Sequence, residues 1–86
     1  MNATLEQAKR QTERVTGVSN VAYDLMVVLT NKLQGIAALE EYKADADAAG
    51  DNEVRAFLDK IEHRDQQDVE ELREFVCNRL QRVQRR

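Results

Sequence analysis

The chain has 86 residues, one cysteine and no proline, with 34% charged and 5% aromatic residues. At that length one domain is the default, and it buries only about 60% of its unfolded surface, which is marginal without help. The composition argues against a sandwich or barrel, a single cysteine leaves no disulfide within the chain, and the longest apolar run, Leu25 to Leu29, is far too short to span a bilayer. The remaining source of stability is self-association. The lone thiol fits a reducing compartment, and the polar start from Met1 to Val15 carries no signal-peptide core, so a cytoplasmic location is expected.

Net charge is −3 but unevenly spread. From Glu40 to Glu74 there are thirteen acids against five bases, whereas the last eight residues, RLQRVQRR, hold four arginines and no acid. A basic tail of Arg79, Arg82, Arg85 and Arg86 can serve an acidic partner or nucleic acid. It can equally be a helix end whose cations complement the macrodipole. The acidic middle would repel phosphates, and no aromatic is interleaved with the four arginines, which disfavours nucleic acid.

Glycine divides the chain into three helical segments. Gly17 lies in TGVSN and Gly50 in AAGDNE, each followed by capping types: Ser19 or Asn20, and Asp51 or Asn52. Residues 1–18 form a short helix, from about Thr4 to Val15, and a linker; Thr4 and Gln7 have capping-box spacing. Its thin stripe of Leu5, Ala8 and Val15 docks on the end of a bundle or stays mobile. Residues 19–86 form an antiparallel αα-hairpin, with helices at about 20–49 and 51–83.

Helical phasing gives both long helices an apolar face. The second helix gathers Ala22, Leu25, Leu29, Leu33 and Ile36. The third gathers Val54, Leu58, Ile61, Leu72, Val76 and Val83. The first of these faces spans about half the cylinder, too wide for one neighbouring helix. Two hairpins pairing into a four-helix bundle would cover both. A homodimer, or a higher assembly of dimers, is therefore expected, with Leu25, Leu29, Leu33, Ile36, Leu58, Ile61, Leu72 and Val76 in its core.

In the third helix the stripe is interrupted by Asp65 and Asp68, within DKIEHRDQQDVEEL. Folding at Gly50 places Lys32 beside Asp68, and Gly35 beside Asp65. Glu40 lies on the same face, closer to the tip. A buried lone carboxylate is costly, so this belt needs partners. Lys32 can neutralise an aspartate and fix helix register. Alternatively, Asp65, Asp68 and Glu40 bind a hard cation such as Mg²⁺, Ca²⁺, Mn²⁺ or iron through oxygen. In a third reading the belt is wet. A buried ammonium beside the aspartates disfavours a cation. His63 falls about opposite the stripe, on the outer face, and Cys77 points largely away from it. No Cys–His or Ser–His arrangement offers an activated nucleophile, and there is no Gly-rich phosphate loop or CxxC.

The stretch LTNKLQGIAALEEYKADADAAGDNEVRAFL followed by HRDQQDVEELREFV, about Leu29 to Val76, resembles the ferritin-like superfamily. It is similar to small members, such as encapsulated ferritins, that build a four-helix bundle from two hairpin chains. The likeness lies in helix lengths, the Ala-Gly-Asp turn and apolar placement. The family's iron centres use a glutamate on one helix and a Glu-x-x-His pair on the next. Aligned through AGDNEV, these fall at Gly35 and at Asp65 and Asp68, so no iron ligand carries over. The resemblance implies a self-assembling bundle with a structural or partner-binding role. Iron handling by the carboxylate belt is the alternative.

Overall fold

The computed structural model describes residues 3–82, and the fold is all-α. Three helices follow one another: α1 (Ala3–Thr16), α2 (Asn20–Ala48) and α3 (Asn52–Gln81). Helix α1 already includes Ala3, so Thr4 lies inside the first turn and is not its N-cap. Val83, Arg85 and Arg86 lie outside the described residues.

The helix ends follow from local chemistry. Ser19 caps α2 by accepting a hydrogen bond from the Ala22 amide at 3.0 Å, and Asp51 caps α3 by accepting from the Val54 amide at 3.1 Å. At the tip, the Asp51 amide donates to the Ala46 carbonyl and the Gly50 amide to the Asp47 carbonyl. This is a Schellman closure, and Gly50 takes the left-handed conformation it requires, with φ 68°. Gly17, with φ 74°, ends α1 in the related way, its amide donating to the Glu13 carbonyl. Asp51→Ala is expected to lower hairpin stability by about 1 kcal/mol, read from urea unfolding; an unchanged midpoint would show that the Gly50 turn alone sets the start of α3.

Helices α2 and α3 pack side by side along their length. On α2 the line facing α3 is Ala22, Leu25, Leu29, Lys32, Ile36, Leu39, Lys43 and Ala46. On α3 it is Arg55, Leu58, Glu62, Asp65, Val69, Leu72, Val76 and Arg79. All are buried or partly buried. Their alternating steps of three and four residues are those of a coiled-coil seam. Helix α1 turns back only at the start of α2: the Asn20 amide donates to Glu13 Oε2 at 2.7 Å, and Asn20 Nδ2 donates to the Lys9 carbonyl at 3.2 Å. Its Val15 remains fully open to solvent.

The result is a rod of 58 × 26 × 19 Å. Its radius of gyration is 18.5 Å, against about 12 Å for a compact domain of this length. Among the described residues only Ala22, Leu39, Ala46 and Val76 are buried apolar residues, and no large side chain is fully enclosed. No helix among them is long and apolar enough to cross a membrane.

Candidate functional site: charged layers in the seam and an open apolar face

Two lysines interrupt the apolar seam of α2. Lys32 Nζ lies 3.3 Å from Asp65 Oδ1 and 3.3 Å from Asp68 Oδ2. The expected belt thus takes the form of one ammonium held between two carboxylates. Asp68, then Asp65, raises the Lys32 pKa above its ordinary value by hydrogen bonding to the charged form.

The second layer lies about three turns nearer the tip. Lys43 is buried, and its ammonium reaches Glu62 at 2.6 Å, Glu40 at 3.0 Å and Asp59 at 3.4 Å. Asp59 is shared with Arg55 at 3.4 Å, and Arg55 also pairs with Asp47. Glu62 and Glu40 hold the Lys43 pKa well above the lysine range, while Lys43 foremost holds the Glu40 carboxyl below the usual carboxylate range. The expectation that groups Glu40 with Asp65 and Asp68 is thereby corrected, because the Lys43 ammonium draws Glu40 into its own layer.

Sequence phasing did not single out Lys43. The signal is present in the spacing of Leu29, Ile36 and Lys43, which repeats every seven residues. It emerges only when the seam is traced across both helices. Buried polar side chains here are satisfied: among the described residues no enclosed side-chain nitrogen or oxygen lacks a partner.

These layers have a pH consequence. A carboxyl with a depressed pKa stabilises the fold above its unfolded value, and that stability is lost as pH falls through the folded value. For Glu40 the loss therefore begins near its ordinary value of 4.5 and proceeds below it. For the lysines, with raised pKa values, the contribution is complete below 10.5 and fades only above it. Melting temperature should hold from pH 7 through pH 10 and fall below about pH 4.5, with a shallower acid limb in Glu40→Gln. A decline between pH 7 and pH 5 would point to a different titrating group.

The residues do not fit an iron or other divalent cation centre. Gly35 has no donor, and Lys32 places a positive charge between the two aspartates, where a cation would have to sit. Among the described residues no group of three or more His, Cys, Asp and Glu side chains is arranged to hold a metal. His63 and Cys77 are both exposed.

The other expected core residues divide. Val76 is buried, while Leu25, Leu29, Ile36, Leu58, Ile61 and Leu72 are half-buried, and Leu33 stays half exposed on one flank of the seam. The opposite flank is broadly apolar. Val21, Val28 and Tyr42 recur along α2 in line with Gly35; Val54, Phe57 and Phe75 lie on the matching side of α3. All six side chains are about half exposed. The Arg79 guanidinium stands 5.3 Å above the Phe75 ring, at the end of this face. Arg82 is exposed. No family model, curated protein or solved structure matches the chain.

Proposed function

We propose that the chain is a self-assembling helical-bundle protein of ferritin-like arrangement, in which two hairpins pair face to face into a four-helix bundle with a structural or partner-binding role. The observation that carries this reading is the uncovered apolar face. The chain exposes 6743 Å², against roughly 5,200 Å² for a folded monomer of its mass. That excess of about 1,500 Å² belongs to the whole rod, α1 included, and leaves room for the roughly 800 Å² that each partner contributes to a standard interface. Tyr42, Phe57 and Phe75, three of the chain's four aromatics, lie on this face, and aromatic side chains concentrate at interfaces.

The reading is non-catalytic because the charged layers are closed ion pairs. Each ammonium is paired with carboxylates of α3, and no Cys–His or Ser–His arrangement stands beside it. Sedimentation equilibrium of the full chain at micromolar concentration tests the proposal. A dimer, or a multiple of one, is expected; a well-folded monomer across the range would overturn it.

A further inference from the structure

Three features of the apolar face bear on the direction in which a second copy lies. The first is Gly35. A glycine in a helix interior costs about 1 kcal/mol relative to alanine. Within the hairpin nothing lies within 4 Å of the position its Cβ would take. No contact inside one chain therefore calls for glycine there. The missing side chain leaves a notch midway along the exposed line, seven residues from Val28 and seven from Tyr42.

The second feature is symmetry. The cross-helix ion pairs of Lys32, Lys43 and Arg55 set Gln66 of α3 level with Gly35, with Phe57 and Phe75 nine residues to either side. A two-fold axis at this level, perpendicular to the rod, lays Val28 on Tyr42 of the partner subunit and brings Phe57 level with the partner's Phe75. The Asp68 carboxylates near the axis each keep a counter-ion, Lys32, at 3.3 Å. The third feature is charge. The tip, from Asp45 to Arg55, holds four acids and one base. The open end carries five bases, Arg79 of α3, Arg82 just after it, and Lys9, Arg10 and Arg14 of α1, against three acids, Glu6, Glu13 and Asp24. Pairing tip to tip would crowd the acids, whereas the reverse direction sets each acidic tip beside a basic end.

We infer that the occupant of this face is a second copy docked head to tail, its α2 crossing α2 antiparallel at Gly35. The inference rests on the pairing proposed above and adds its geometry. It is tested by spin-label distance measurement on the full chain carrying Glu53→Cys and Cys77→Ser, with sedimentation run on the same sample. Glu53 lies near the tip, so at 1.5 Å per residue the two labels stand roughly 40 Å apart head to tail. Tip to tip they come within about 25 Å, given interhelical spacings near 10 Å. The long distance is expected. A dimer with the short distance would overturn the geometry while leaving the pairing in place, and a monomer would overturn both. Gly35→Leu supplies the second reading: helical content unchanged, with the dimer dissociation constant raised at least about 100-fold by overpacking at the crossing. Undiminished dimerisation of that variant would overturn the crossing at Gly35.

Discussion

Phe75→Asp is expected to abolish dimerisation at micromolar concentration while leaving the helical content of the hairpin intact. In one hairpin Phe75 is about half exposed and lies outside the seam, so the seam contacts survive the change. The aspartate would bring a carboxylate into the dimer interface, with Arg79 one turn on as its nearest counter-ion. Loss of an aromatic anchor typically costs more than 2 kcal/mol, and desolvating a carboxylate in the interface adds to it. A weakening of at least about 100-fold follows, since each 1.4 kcal/mol is a factor of ten. Within the hairpin the change also removes the cation–π contact with Arg79, a loss of about 0.5–1 kcal/mol at an exposed site. Light scattering across a dilution series, beside circular dichroism, separates the two effects. His63→Ala, on the exposed outer side, should leave association unchanged. If Phe75→Asp remained dimeric, the apolar flank would not be the pairing face.

The second large effect is on the hairpin itself. Leu39 is 6% exposed and is the largest buried apolar side chain of the seam. Its truncation to alanine removes packing between the two charged layers, one turn from Lys43 and two from Lys32, where the two lysines limit how far the helices can close over the gap. A cost of about 2–4 kcal/mol is expected. For a domain of this size that lowers the melting temperature by roughly 10–20 °C. Leu33→Ala is the comparison. Leu33 is half exposed on the flank away from the proposed pairing face, so its loss should cost less than about 1 kcal/mol. Equal losses at the two positions would mean that a neighbouring chain covers Leu33, and that the pairing face lies on the other side.

The helices and their turns were legible in the residues because the chemistry is local. Gly17 and Gly50 supply positive φ, and Ser19 and Asp51 supply side-chain oxygens for the first free amides. The pairing of Lys32 with the two aspartates was legible because folding at Gly50 fixes which levels meet. The Lys43 layer was less so: Lys43 falls 18 residues, five whole turns, from Leu25 of the stripe, but lysine is a residue type that is almost never buried unless paired, and its α3 partners Glu62 and Asp59 lie off the apolar line of that helix. A seam with a seven-residue repeat drifts by about 20° per repeat from the line of a straight helix. By Lys43 the seam has moved off the line through Leu33. The same drift leaves Leu33 on a flank and brings Leu39 and Ala46 into the contact.

The two lysine layers also govern what happens when the helices slide past one another. Apolar seams tolerate a one-heptad slide, since leucine meets leucine again. Here such a slide in one direction would set Lys32 against Leu72 and Phe75, and Lys43 against Gln66 and Val69. In the other direction Lys32 would meet Leu58 and Ile61, and Lys43 would meet Asn52 and Arg55. Either misalignment takes both ammonium groups away from their carboxylates on α3 at once, and leaves Lys43 only Glu40 of its own helix. The seam therefore behaves as a two-pin lock, with an energy gap between the native alignment and its nearest competitors that a wholly apolar hairpin of equal length would lack.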